Sequence, residues 1–487
     1  MGSITGFGGL GEIGGNQFLI EAGDSRLWVD FGVNFARQGQ FYSNYLQPRK
    51  YRYLDDLLQF SLIPSMNGLY REDFVKRMGQ TPKPLNFDGA IFSHAHWDHV
   101  GYIPLLHPDL PIWCGETTKM ILSALELTSI GMMSSFISHR EEFALREKKR
   151  GDGLTEAKPM PQPRKIRTFR TGDALEIADS FHIQPIHVDH SVPGAYGFII
   201  DVAGITIAYT GDLRLHGPRA DMTQDFAYAA NKHGIDVLLC EGTRINESDR
   251  ISEKKVRHTA NQKVQETSGL VLANFPQRDI DRLRTFWQIA RDNDRTLVVS
   301  SKQAVLLKQL EQDKHLYLPG LNDPHIAIYL KKKGWGVLGD DNYPKSVQTR
   351  SYARWEREFL DNANFLMEKD IQQNQQKYIL FCSFYDLAEL ANVKPAPGSH
   401  YIRSVTEAFT DELQIDQQRE EAWLKHFGLW PITQIHAGGH ASGPEIRELI
   451  DRIDPKVLIP IHTESPELFG KFHSNVRILE HGQSFSF

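Results

Sequence analysis

Ser93-His94-Ala95-His96-Trp97-Asp98-His99-Val100-Gly101 packs three histidines and a carboxylate into six residues. Phe87-Asp88-Gly89-Ala90-Ile91-Phe92, just before it, reads as a buried strand, and Tyr102-Ile103-Pro104-Leu105-Leu106, just after it, resumes apolar packing. A strand therefore delivers the chain, a loop presents the polar cluster, and a helix is expected to carry it away. Neutral imidazole and carboxylate suit zinc and tolerate manganese or iron. Four donors in one short loop can serve two adjacent cations, with His94 and His96 reaching one while Asp98 and His99 turn toward the other. The bland alternative is a histidine-rich surface loop. Further candidate ligands in similar settings downstream weigh against it.

Four of these share one pattern, a polar residue at the end of an apolar segment. They are His190 in Ile186-His187-Val188-Asp189-His190, Asp212 after Ala208-Tyr209-Thr210-Gly211, His462 after Val457-Leu458-Ile459-Pro460-Ile461, and His440 in His436-Ala437-Gly438-Gly439-His440-Ala441-Ser442. A carboxylate such as Asp212 can bridge two cations through its two oxygens. Each residue alone is more often a buried, hydrogen-bonded histidine or a turn aspartate. Asp30 ends the apolar strand Arg26–Gly32 and is either a loop carboxylate or a group that orients metal ligands. Ser442 reads as the N-cap of a helix Pro444–Arg452. The Gly438–Ser442 loop also offers backbone N–H groups and a hydroxyl to a phosphate. His436 reads as structural.

Gly9-Leu10-Gly11-Glu12-Ile13-Gly14 matches the dinucleotide-binding pattern, which requires a strand before it and a helix after it. Asn16–Glu21 reads as a strand instead, so the glycines are expected to form a tight turn, followed by a hairpin through Ala22–Ser25. Residues 33–85 are aromatic-rich and irregular, with one helix expected near Arg71–Met78; residues 116–150 read as helices, and Pro159, Pro161 and Pro163 mark an exposed loop. Strands are expected at Phe181–Ile186, Tyr196–Val202, Ile205–Tyr209 and Asp236–Cys240. From Gly269 strands and helices alternate: strands at Leu270–Ala273, Thr296–Val299 and Lys377–Phe381, helices at Arg278–Ala290 and Gln303–Leu310. That alternation predicts a parallel sheet.

The 487 residues imply two or three domains, with ordinary globular composition at 40% hydrophobic and 24% charged. No apolar run has bilayer-spanning length, and the N-terminus lacks the basic-then-apolar order of a secretory signal. Cys114, Cys240 and Cys382 are dispersed and odd in number, as expected of reduced core residues in a cytoplasmic protein. A net charge of −6 disfavours nonspecific coating of nucleic acid but leaves room for a locally basic channel. The clusters Arg146–Arg150, Lys254–Arg257 and Lys331–Lys333 each read first as solvated faces.

His94-Ala95-His96-Trp97-Asp98-His99, His190, Thr210-Gly211-Asp212 and His462 resemble the ordered metal motifs of the metallo-β-lactamase superfamily. Cys240-Glu241-Gly242-Thr243, Gly438-Gly439-His440-Ala441-Ser442 and Pro460-Ile461-His462-Thr463-Glu464 further resemble motifs A, B and C of its β-CASP nucleic-acid-processing branch. The 22-residue separation of His440 and His462 fits that branch, and Gly8–Gly14 with His190–Gly194 is most similar to ribonuclease J. The resemblance implies an α/β fold, an αββα sandwich (residues 1–243 and 436–487) with an inserted β-CASP domain (residues 244–435). It implies two divalent cations, zinc first and manganese second, one held by His94, His96, His190 and Asp212, the other by Asp98, His99, Asp212 and His462. It further implies that Asp98, Glu241 and His440 serve catalysis, that Gly438, Gly439, His440, Ala441 and Ser442 face the nucleic acid, and that histidine at motif C marks RNA-directed members. The implied activity is hydrolysis of single-stranded RNA, as a 5′-to-3′ exonuclease with or without endonuclease action. The alternatives are a DNA nuclease and a small-ester or thioester hydrolase. No membrane partner is expected, and a homodimer stays open because the resemblance does not extend to the C-terminal domain through which ribonuclease J proteins associate.

Overall fold

In the computed structural model all residues are described except 1, 44, 130, 132–133, 142–143, 150, 158–159, 249–250, 363 and 407–410. The chain forms two compact units. One comprises Met1–Leu215, Arg219–Asp249 and Gly439–Phe487, and the other His216–Pro218 and Arg250–Gly438.

The first unit contains two sheets. The seven-stranded sheet runs Ile166–Phe169, Ile112–Gly115, Gly89–Phe92, Ser25–Phe31, Gln17–Ala22, Gly2–Gly8, Ser484–Ser486. The six-stranded sheet runs Leu175–Ile177, Phe181–His187, Tyr196–Val202, Ile205–Tyr209, Val237–Glu241, Val457–Ile461. Period-two alternation sorts their side chains into layers. Phe18, Ile20, Leu27, Val29 and Ile91 meet Phe198, Ile200, Ile207, Leu239 and Ile459 in one core between the sheets. Leu19, Trp28, Ala90 and Phe92 face the other way and pack with Leu54, Leu57, Phe74 and Leu122 of three helices. Beyond the second sheet, Ile199, Ala208, Leu238 and Leu458 pack with two further helices, Ala220–His233 and Gly443–Ile453. The result is the expected αββα order. Helix Gly443–Ile453 shows why it docks: Ile446, Leu449, Ile450 and Ile453 recur at i, i+3, i+4 and i+7 and are all buried. Each such side chain contributes about 1.5–3 kcal/mol.

The second unit is built on a seven-stranded, all-parallel sheet in the order Phe365–Leu366, Ile326–Tyr329, Thr296–Ser300, Tyr378–Phe381, Val271–Asn274, His400–Arg403, Thr433–Gln434. Its middle strands are unbroken apolar runs such as Leu297-Val298-Val299, as burial on both faces demands. The alternating elements read from Gly269 onward appear at Val271–Asn274, Ile280–Asp292, Thr296–Ser300 and Ser301–Leu310.

Two expectations are corrected. The 33–85 stretch holds helices at Phe35–Gly39 and Tyr53–Gln59 besides Glu72–Arg77. Helix Glu116–Thr128 stops early, and Ala144–Glu147, where helix was expected, instead pairs antiparallel with Leu154–Ala157 in a hairpin. Gly151 and Gly153, with φ of +75° and +102°, turn that hairpin; a charge run carries no period to reveal it. Arg150 and Pro159 lie outside the described residues. The glycine-rich turn and the hairpin that follows it match the reading, with Gln17–Ala22 antiparallel to Ser25–Phe31.

Candidate metal centre

All nine candidate ligand and catalytic side chains belong to the first unit. His94 through His99 follow strand Gly89–Phe92, Asp212 follows Ile205–Tyr209, and His462 follows Val457–Ile461. Carboxyl ends of strands from both sheets thus converge on one place. His94, His96, His190 and Asp212 each present a ligand atom, and these atoms lie within 4.8 Å of one another. Asp98, His99, Asp212 and His462 form a second such group, and Glu241, His440 and His462 a third. His96 Nδ1 is 3.1 Å from His94 Nε2 and 3.0 Å from His190 Nε2. Asp212 Oδ2 is 3.1 Å from His99 Nε2 and 3.7 Å from His462 Nε2, and Asp98 Oδ2 is 3.2 Å from His462 Nε2.

Polar neighbours fix the outward nitrogens of these rings. Asp30 is fully buried with φ of +56°. It accepts hydrogen bonds from Ser93 N at 2.8 Å, and from Ser93 Oγ, His99 Nδ1 and Tyr209 OH at 2.7 Å each. Asn16 Nδ2 in turn donates to Tyr209 OH at 2.8 Å. His190 Nδ1 donates to Gly439 O at 2.6 Å, and His462 Nδ1 meets Thr243 Oγ1 at 2.7 Å. Carboxylate, hydroxyl and carbonyl partners of this kind set ring orientation and leave the opposite nitrogen for a ligand. Of the two readings open for Asp30, the orienting one is observed. Ser93, Tyr209, Asn16 and Thr243 were given no role from sequence, because their work depends on neighbours far away in the chain.

The glycine-rich turn acts through its backbone. Gly9 O accepts from His462 N at 2.7 Å, fixing that residue at φ +52°, and Asn16 N donates to Asp98 O at 3.0 Å. At Gly32 a Cβ would stand 1.7 Å from Asp98 O, so only glycine admits the ligand loop there.

The electrostatics favour a cation. Asp30, Asp212 and Glu241 are buried, and Asp98 is only 20% exposed. Burial opposes ionisation of Asp212, but His462, His99 and His440 outweigh it and hold the carboxyl well below its usual range. Burial, then neighbouring imidazoles, hold His94 and His190 well below theirs, in the neutral form a metal ligand needs. At His99 the carboxylates of Asp212, Asp30 and Asp98 overcome burial and raise the imidazole. Against burial, Glu241 and Asp212 raise His440 to about 9. Asp212 Oδ1 is buried without a hydrogen-bond partner among the described residues. A buried carboxylate oxygen left without a partner is costly unless a cation completes it. The donor set is therefore compatible with divalent metal.

His440 Nδ1 is 3.2 Å from both oxygens of Glu241, which also accept from Leu213 N at 3.0 Å and Thr243 N at 3.2 Å. The loop around His440 departs from expectation. Ser442 Oγ is fully buried and donates to Glu445 Oε2 at 3.1 Å, so it caps the helix rather than facing a phosphate. Ala441 N donates to Leu213 O at 2.7 Å and Ser442 N to Glu445 at 2.9 Å, which spends both N–H groups. Gly438 falls in the second unit, where its carbonyl accepts from His216 Nε2 at 3.1 Å. His436 pairs with Ser404 O and Arg282 inside that unit, a structural place.

Comparison with known proteins agrees with this architecture. A beta-lactamase superfamily domain matches residues 66–269. Ribonuclease J of Helicobacter pylori strain J99 is 24% identical over 95% of this chain, and ribonuclease J of Pyrococcus abyssi is 22% identical over 94% of it. The chain spans 56% of the length of the first and 88% of the second. A solved protein of unknown function from Enterococcus faecalis V583 superposes with a TM-score of 0.72, at 21% identity over 99% of both chains, which shows a shared fold. Residues 66–269 thus match a beta-lactamase superfamily domain, and similarity to ribonuclease J proteins, at 22–24% identity, extends over 94–95% of the chain.

Proposed function

We propose that the protein is a dinuclear, metal-dependent ribonuclease that hydrolyses phosphodiester bonds of single-stranded RNA. The observation that carries this reading is the pair of four-residue donor groups sharing Asp212, whose Oδ1 is otherwise orphaned, with the His440–Glu241 pair beside them. His94, His96, His190 and Asp212 would hold one cation, and Asp98, His99, Asp212 and His462 the other, with zinc preferred over manganese. Such ions, when bound, lower the pKa of water and offset charge on a phosphate. In this reading Asp98 would accept the proton of the attacking water. Glu241 holds His440 Nδ1, which leaves Nε2 to donate to a phosphate oxygen or to the departing oxygen. The parallel-sheet unit between Arg250 and Gly438 supports a β-CASP assignment, and the names of the relatives support RNA over DNA.

The test is cleavage of 5′-monophosphorylated single-stranded RNA, labelled at its 3′ end, with zinc or manganese, beside the same DNA sequence. Products from RNA alone, absent with Asp212→Ala, are expected, and their lengths report the 5′-to-3′ mode. His440→Ala should retain metal and lose turnover by about 10²–10³-fold. Parental turnover in that variant removes His440 from the mechanism. Metal-loaded protein that cleaves neither polymer points instead to a small-ester hydrolase.

A further inference from the structure

The segment Lys331–Arg357 of the second unit is locally basic. It holds seven lysines and arginines against three carboxylates, in a protein of net charge −6. It leaves the carboxyl end of strand Ile326–Tyr329. That strand adjoins Thr296–Ser300, which lies beside Tyr378–Phe381; the onward connections of these last two strands run to opposite sides of the sheet. Open parallel sheets bind ligands outside the carboxyl ends of strands at such a reversal.

On this edge Trp335 is 93% exposed, at the tip of a turn closed by Gly336 N donating to Lys333 O at 3.1 Å. Its flanking glycines have φ of +59° and +71°. The mount is rigid. Tyr352 OH donates to Lys331 O at 2.8 Å and accepts from Lys333 N at 3.2 Å. Lys331 pairs with Asp386, Lys332 with Glu368 at 2.8 Å, and Lys333 with Glu356 at 2.6 Å. Three ion pairs and a buried tyrosine thus fix the base of a loop whose tip is an indole in water. The Lys331–Asp386 pair ties it to the short 3-10 helix Phe384–Glu389, whose Tyr385 is 87% exposed. Tyr343, 44% exposed, lies further along, and among the described residues Lys345 and Arg350 are exposed without an ion-pair partner. Exposed aromatic faces interleaved with free cations suit unpaired bases joined by phosphates.

We propose that Trp335, with Tyr385, is a base-stacking platform for single-stranded RNA, and that Lys345 and Arg350 contact its phosphates. The identity of the polymer rests on the ribonuclease reading. The platform itself rests on the second unit alone.

Binding is measured by fluorescence anisotropy of a labelled oligouridine with the full chain carrying Asp212→Ala, which leaves the probe intact. Trp335→Ala should weaken binding about tenfold, and Trp335→Phe much less, because the face for stacking remains. Replacing Lys345 and Arg350 by Ala should flatten the slope of log K against log salt by about 1.4, two single-strand phosphate contacts. A duplex of the same length should show no dependence on Trp335, since its bases are already stacked. Binding by Trp335→Ala within twofold of the parent, an equal loss on duplex, or tighter Trp335-dependent binding of single-stranded DNA overturns the proposal. The nuclease reading is judged separately. In the otherwise parental chain, cleavage of a trinucleotide reports the nuclease reading by itself. If no variant binds the oligouridine but the trinucleotide is cleaved, the platform fails and the nuclease stands.

Discussion

Asp30 is an aspartate with left-handed backbone, at φ +56°, in a fully buried position. Non-glycine residues rarely take this conformation, and asparagine and aspartate take it most readily. The reward is a carboxylate that collects Ser93, His99 and Tyr209 at once. Asp30→Asn keeps the backbone preference and removes the charge that orients the His99 ring. Metal affinity should fall about 10–100-fold with little loss of helix or sheet, read as metal content after dialysis against graded free zinc, beside circular dichroism. Full metal retention would reduce Asp30 to a packing role. Sequence pointed to the ligands because imidazole and carboxylate are themselves the chemistry. Their supports were harder to see: 69 residues separate Asp30 from His99, and 193 separate Asn16 from Tyr209. Serine, tyrosine and asparagine also carry no mark of such duty. Ser442 carried two readings from sequence, N-cap and phosphate contact, and its buried hydroxyl bonds Glu445 at the helix start, as the N-cap reading expects.

At the scale of elements, the ligand loop is held by backbone, which makes glycine substitutions informative. A Cβ on Gly32 would meet Asp98 O at 1.7 Å and His99 N at 2.4 Å, whereas one on Gly11 meets nothing within 4 Å. Gly32→Ala should cost on the order of 3 kcal/mol and disorder the ligand loop. Gly11→Ala should cost only its φ strain, about 1 kcal/mol. Denaturant midpoints with metal content separate the two, and equal midpoints would show that the loop yields. The first turn of helix Tyr53–Gln59 offers a pH test. Hydrogen bonding by the Arg49 side chain, against burial, holds the Asp56 carboxyl below its usual value of 3.8. A depressed carboxyl stabilises the fold above its unfolded pKa and loses that contribution as pH falls through the folded value. The deficit in Tm of Asp56→Asn should therefore be full at pH 6 and shrink as pH drops below about 3.9; a constant deficit assigns it to packing. This helix was missed from sequence because its seven residues span only two turns, too short for an apolar period to stand out. Polar helices such as Glu253–Glu266, with Val256, Ala260 and Val264 as its buried apolar residues, were missed for want of a strong stripe. Strands with unbroken apolar runs, such as Val457–Ile461, were read nearly to the residue.

For the whole molecule, the site explains why residues from positions 94 to 462 must fold together. The candidate ligands follow strands of both sheets, so bound cations would cross-link the two halves of the sandwich and the two ends of the chain. The order of motifs revealed that sandwich; the layer to which each side chain belongs needed the register of the strands. Among the described residues, no candidate ligand lies in the Arg250–Gly438 unit. Chains of two units often unfold in more than one step. A cation that binds only the folded state at one hundred times its Kd adds about 2.7 kcal/mol per site. Calorimetry with zinc and then with a chelator should therefore show the transition of the sandwich falling by several degrees while that of the parallel-sheet unit stays in place. Asp212→Ala should start at the chelated value and not respond to zinc, since both donor groups lose their shared member. If the chelator moves both transitions equally, or Asp212→Ala still gains stability from zinc, the cations are held elsewhere and the shared-carboxylate arrangement is wrong.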